Sequence, residues 1–201
     1  MPTTFSDLTA LVYGITKRPE LVALTEAAVR TATLRAHHVD FFPRDRSSMV
    51  LTYTPPTSGS FADIAGVYTQ APLFRAPEFM QSEDATTQVA TENLDWVTSF
   101  KDFYDEYNQV KQSVFTFIGE TLKASLASAT GRARLFYYAN PTVTSVGFSS
   151  WIANLHPDEV AQWAAGIVWA RTGNQEMANQ AQEAVNMFKG DLVASYLMNK
   201  I

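Results

Sequence analysis

The chain contains no cysteine. That excludes a disulfide framework, a thiolate zinc site, an iron–sulfur cluster and a cysteine nucleophile. Charge is scarce as well. Asp, Glu, Lys and Arg make up 17% of the 201 residues, against roughly a quarter in ordinary soluble domains. Fifteen basic residues face twenty acidic ones, for a net charge of −5, which speaks against a broad phosphate-binding surface. No apolar run approaches the ~18 residues of a membrane span. The opening Met1-Pro-Thr-Thr-Phe-Ser-Asp7 has neither the basic nor the apolar region of a secretion signal. The expectation is a cytoplasm-made globular protein with no membrane segment.

What the chain does have is apolar and aromatic side chains, at 46% and 12%. That is enough for one buried core with an appended subdomain. A surface poor in charge and rich in rings is what coverage by partner chains produces.

Periodicity divides the chain into helical ends and a β-rich middle. Leu8, Leu11, Val12 and Ile15 fall at helical spacing. Lys17-Arg18-Pro19 breaks this helix and starts a second, predicted from Pro19 to about His38 with Leu21, Leu24, Ala28 and Ala32 on one face. Phe41-Phe42-Pro43 ends it. Ser48–Thr54 alternates as a strand, and residues 55–60 read as a loop. Residues 61–90, broken by Pro72 and Pro77, read as extended segments and a projecting loop. Phe100, Phe103, Tyr104 and Tyr107 predict a short helix within 93–110. Three strands follow at about 113–118, 121–126 and 132–138, the first two joined at Gly119-Glu120, which predicts an antiparallel meander. The last fifty residues predict two helices. One starts after His156-Pro157 and carries Val160, Trp163, Ala164, Ile167 and Val168. The other starts at Asn174 and is weakened at Gly190. The expected fold is α+β and mainly α. Residues 1–46 and 148–201 form a helical bundle, and 47–147 form a β-rich insertion with a long loop near 55–95.

Chemistry-bearing residues are few. His37 and His38 are adjacent, so on a helix they point about 100° apart and cannot grip one metal together; His156 precedes Pro157 as a helix cap would. No metal and no cofactor is expected. Asp102, Asp105 and Glu106 cluster beside an aromatic stripe and read as a solvated helix face, the alternative being a small hydrolase that uses them as acid and base. The chain has no Gly-x-Ser-x-Gly elbow and no phosphate-cradling glycine loop. Residues 156–189 have the outline of a helix–turn–helix, but the second helix carries Glu176 and Glu183 and no basic residue before Lys189. Such a helix repels a duplex, and an α-hairpin is the plain reading.

Two stretches together resemble the head-to-tail adaptor (connector) proteins of short-tailed bacteriophages. The first runs from Thr16-Lys-Arg-Pro-Glu-Leu through a small-residue helix to His37-His-Val-Asp-Phe-Phe-Pro-Arg-Asp45. The second includes Phe115-Thr-Phe-Ile-Gly-Glu-Thr-Leu122, Phe136-Tyr-Tyr-Ala-Asn-Pro141, Ser150-Trp-Ile-Ala-Asn-Leu-His-Pro157, Trp163-Ala-Ala-Gly166 and Gly173-Asn-Gln-Glu-Met-Ala178. The resemblance covers most of the chain outside about 55–95. It implies a non-enzymatic virion protein at the head–tail interface, or neck, assembled in the host cytoplasm. Such a protein forms a dodecameric ring below the portal protein, from subunits that can be monomers when free, and serves as a platform for tail or nozzle proteins. Genomic DNA would pass through its channel without sequence-specific binding. Another tail-completion or head-completion protein would share this composition. Leu192, Val193, Tyr196, Leu197 and Met198 are the candidates for contacting the portal, on a C-terminal stretch expected to be loosely held after Gly190. Arg44, Arg46, Phe74 and Phe79 are the candidates for subunit or tail contacts.

Overall fold

The computed structural model describes residues 2–54, 61–70, 73–104, 113–126 and 130–198. They divide into two compact units, Met1–Asp45 with Asn140–Ile201, and Arg46–Ala139.

The first unit is helical. Helix α1 (Phe5–Thr16) begins at a reciprocal cap, in which Thr4 accepts from the Asp7 amide and Asp7 accepts from the Thr4 amide. It ends at Lys17, which adopts the left-handed conformation. Helix α2 (Val22–His37) starts three residues later than Pro19. A 3-10 turn at Pro43–Asp45 follows. After the sheet come α5 (Trp151–Leu155), α6 (Pro157–Arg171, with Pro157 in its first turn) and α7 (Gln175–Met198). Helix α6 is the hub, packing against α1, α2, α5 and α7. Its buried residues combine small Ala161, Ala164 and Ala165, which allow close approach, with Val160, Val168 and the large Trp163 and Trp169. A Cβ added at Gly166 would lie 2.9 Å from the Cβ of Ala181, so the α6–α7 approach requires glycine there. Leu8, Phe42, Ile152 and Leu192 are fully buried in the same core, each contributing about 1.5–3 kcal/mol.

The second unit is a seven-stranded sheet, and here the expected architecture is overturned. The sheet is not a small meander inserted into a helical bundle. It is mixed and curled, and strand makes up 28% of the chain against 45% helix. The strands are β1 (Arg46–Thr52), β2 (Ala62–Ile64), β3 (Phe74–Glu83), β4 (Ala90–Trp96), β5 (Val114–Ile118), β6 (Thr121–Ser125) and β7 (Arg132–Ala139). Their order is β1-β7-β3-β4-β5-β6-β2. All pairs are antiparallel except β4–β5, which is parallel. A parallel pair needs a long crossover, and residues 97–113 supply it; they include the short α4 (Phe100–Phe103). Of the helix predicted within 93–110, Phe100–Phe103 is helical as α4, and residues 105–110 lie outside the described residues.

Residues 61–90 hold the expected extended segments as β2 and β3, but β3 runs on through Pro77 where a loop was expected, and this has a physical cause. Pro77 marks a strand interior as improbable because it lacks a donor. In β3 it sits where the pairing to β7 shifts register between Pro77 and Phe79, an irregularity that tolerates the missing N–H. The β5–β6 hairpin does turn at Gly119, whose φ is +61°. The inner face of the sheet buries Leu51, Met80, Leu94, Phe115, Leu122 and Leu135.

Glu83 is a buried carboxylate on β3. Arg132 Nε donates to it at 2.9 Å and Arg134 Nε at 2.5 Å, both from β7. Burial alone would raise its pKa, but the hydrogen bonds and charges of Arg134 and Arg132 outweigh that and hold it below the ordinary glutamate value. The folded state therefore keeps this charge to lower pH than the unfolded chain does. The stabilisation is complete above the unfolded value and is lost as pH falls through the lowered one. Denaturant midpoints of the native chain and of Glu83→Gln, compared from neutral pH downward, are expected to differ most near neutrality and to converge below about pH 4. A pH-independent difference would contradict this account.

Candidate functional site

The densest polar cluster of the helical unit forms where α2 ends. Helix α2 delivers His37 from its last turn, with Ala28, Ala32 and Ala36 letting it sit close to its neighbours. Phe41 and Phe42 then part: Phe42 is buried and Phe41 is exposed. The 3-10 turn points Asp45 inward, and Ser150 opens α5 as its cap.

These residues meet in one chain of hydrogen bonds. His37 Nδ1 lies 2.8 Å from Asp45 Oδ1, and His37 Nε2 lies 2.9 Å from Ser150 Oγ. Trp151 Nε1 donates to the same Asp45 Oδ1 at 2.7 Å. Ser150 Oγ also accepts the Ala153 amide at 3.1 Å, capping α5. An ionised carboxylate only accepts, so the histidine proton lies on Nδ1; with Nε2 bare, the serine hydroxyl donates to it. The Trp151 ring stands edge-on to both His37 and Phe42, at 5.6 and 5.3 Å between centroids. The Arg44 guanidinium lies 5.4 Å from the same indole. Beside the network, His38 Nε2 bonds Asn140 Oδ1 at 2.7 Å.

Serine, histidine and aspartate in this order are the parts of a nucleophilic hydrolase. His37 is 2% exposed, Ser150 3% and Asp45 6%. None of four cavities in the helical unit is lined by any of the three. The Ser150 hydroxyl also serves as the cap of α5. What the arrangement does is bridge residues 113 positions apart, tying the end of α2 and the turn after it to the start of α5.

No protein-family model and no curated protein matches the chain. The site is therefore read from its own geometry.

The other sequence candidates disperse. Arg46 pairs with Glu78 at 2.5 Å and stacks over Tyr138, whose hydrogen bond is the main cause of its raised pKa. Phe74 packs among Tyr68, Phe117 and Tyr137. Phe79 stacks on Phe136 at 4.4 Å. All three lie within the sheet unit and engage its own residues. Asp102 is exposed on α4, while Asp105 and Glu106 lie outside the described residues. Gly190 does not interrupt the last helix: α7 runs through it to Met198. Leu192 packs into the core and Val193 is half-buried. Tyr196, Leu197 and Met198 continue the helix. The break expected at Gly190 is thus corrected to a continuous helix as far as Met198, and residues 199–201 lie outside the described residues. Glycine there costs about 1 kcal/mol of propensity, which the burial of Leu192 offsets. Among the described residues no cluster has a metal-binding ligand set, and no helix is long and apolar enough to cross a membrane.

Sequence reasoning missed Ser150 and Asp45 as partners of His37. The available signal was a histidine closing a small-residue helix with an aspartate eight residues on. Nothing local tied either to a serine more than a hundred residues away.

Asp45→Ala would leave two buried donors, His37 Nδ1 and Trp151 Nε1, without their shared acceptor. At about 1–3 kcal/mol for each, the expected loss of stability is roughly 2–6 kcal/mol by denaturant unfolding. A loss below about 1 kcal/mol would show that the cluster does not hold the fold.

Proposed function

We propose that the chain is a non-enzymatic structural protein of a virion, a head-to-tail adaptor of the short-tailed phage type. In this reading it sits as a ring below the portal protein, continues the DNA channel and offers a platform for tail or nozzle proteins. The observation that carries the reading is a convergence. The stretches that bear the resemblance, His37–Asp45 and Ser150-Trp151, are the ones joined by the buried network, and Asn140 bonds His38 beside it. Their shared chemistry in this reading is structural: Asp45 Oδ1, both ring nitrogens of His37 and Ser150 Oγ each hold another group of the network.

Charge and exposure support the same reading. A chain of net charge −5 does not grip a passing duplex, because repulsion between acidic surface and phosphate keeps contacts weak. Large apolar side chains stand out into solvent, among them Val22, Phe41, Leu155 and Met187 of the helical unit. Single exposed apolar residues are ordinary. Here they accompany an unusually low charge content, as on a subunit whose flanks are covered on assembly.

The test is electron microscopy of the purified protein mixed with the portal from the same source genome. A ring added to one end of the portal is the expected result. Absence of association between two folded proteins would contradict the adaptor reading.

A further inference from the structure

The outer face of the sheet carries a strip of rings and guanidinium groups that the core does not use. Burial alternates along β7, so Ala133, Leu135 and Tyr137 enter the core while Arg132, Arg134 and Phe136 stand on the other side. Register brings Phe79 of β3 beside Phe136. The two rings stack at 4.4 Å with their planes 10° apart. Both are half-buried, and their outer cross-strand neighbours, Ser48 on β1 and Asp95 on β4, are exposed. The strip therefore lies open on a run of four antiparallel strands, β1-β7-β3-β4, with its rings on the two central ones.

The arginines are held in place from below. Buried Glu83 accepts from Arg132 Nε at 2.9 Å and from Arg134 Nε at 2.5 Å. The two arginine side chains nevertheless stay 21% and 31% exposed. Neither makes a further side-chain hydrogen bond among the described residues. A guanidinium has five N–H donors, so each keeps donors for a second anion. One carboxylate against two cations leaves a positive charge at this end of the strip. At the other end Arg46 and Glu78 neutralise each other beside Tyr138. Arg134 precedes Phe136 by two strand residues, about 7 Å, which is of the order of the separation between a base and its own phosphate.

We infer that this strip binds single-stranded nucleic acid, with bases packed on the rings of Phe136 and Phe79 and a phosphate on Arg132 and Arg134. Rings on the central strands of a four-stranded sheet are one way in which proteins hold unpaired bases, and basic side chains beside them track the backbone. The rings select a ligand with planar faces and the arginine pair selects an anion; an unpaired nucleotide has both. A duplex keeps its base faces inside its own stack, so it meets only the arginines. The acidic balance of the whole chain limits affinity for any polyanion but leaves this local site in place. Asp95 beside Phe79 bounds the strip on the β4 side, because a carboxylate repels phosphate. The inference goes beyond the adaptor reading and does not rest on it.

Fluorescence anisotropy of a labelled oligothymidylate of about twelve nucleotides, titrated with the full chain, tests this. Binding is expected at low salt with a dissociation constant of about 1–100 μM, and a duplex of the same length should bind at least about tenfold more weakly. Phe136→Leu keeps the apolar bulk and removes the ring; it should weaken binding by roughly fivefold or more. Arg134→Gln should weaken it too, and should flatten the slope of log affinity on log salt by about 0.7. Should Arg134→Gln lower the melting temperature by leaving Glu83 short of a partner, Phe136→Leu and Phe79→Leu carry the same test. Three results would each overturn the inference: no binding up to about 1 mM, a duplex bound as tightly as the single strand, or an affinity unchanged in Phe136→Leu. Polyglutamate bound as tightly as the oligothymidylate, with Phe136→Leu indifferent to both, would assign the arginine pair to an acidic peptide instead.

Discussion

A buried carboxylate has to be surrounded by donors or it destabilises the fold that contains it. Asp45 is that carboxylate, and the helical unit is arranged to meet its demand. His37 arrives from α2 and Trp151 from α5, and both use the same oxygen. Satisfying His37 in turn brings in Ser150, which already caps α5. One constraint therefore positions the end of α2, the turn after it and the start of α5. It also accounts for the aromatic residues there, because Phe42 and Trp151 shield the network from water, and low dielectric strengthens each of its bonds. Together these bonds form a clasp between the three segments.

Glu83 repeats the theme in the sheet. It, too, is a buried carboxylate held by donors from distant sequence, Arg132 and Arg134. Charge is rare in this chain, and part of it is spent on internal pairs. The surface keeps exposed apolar side chains such as Val22, Phe41, Leu155 and Met187.

Much of the helical unit was legible in the sequence. The stripe of Leu8, Leu11, Val12 and Ile15, the small face of α2, and the start of α6 at Pro157 each report a local preference that the fold obeys. The hairpin at Gly119 was legible for the same reason, since a positive φ at a two-residue turn is a local requirement. The sheet as a whole was not. Proline in β3 and the mixed polarity of β4 hide strands that exist because neighbours pair with them, and a parallel β4–β5 pair cannot be read from either strand alone. The His37–Ser150 bond was illegible on the same principle, as was Glu83 with its arginines. Gly190 erred in the other direction: a poor helix former stays helical because Leu192 beyond it is buried.

Amide hydrogen exchange on the native chain tests most directly whether the clasp holds the helical unit. The Ala153 amide, bonded to Ser150 Oγ, and the Trp151 indole proton, bonded to Asp45, report it from two sides. If the clasp is what the rest depends on, both exchange only through global unfolding, with the same free energy as the slowest amides of α6. Exchange of either through local opening at a much lower free energy, while α6 stays protected, would contradict the account.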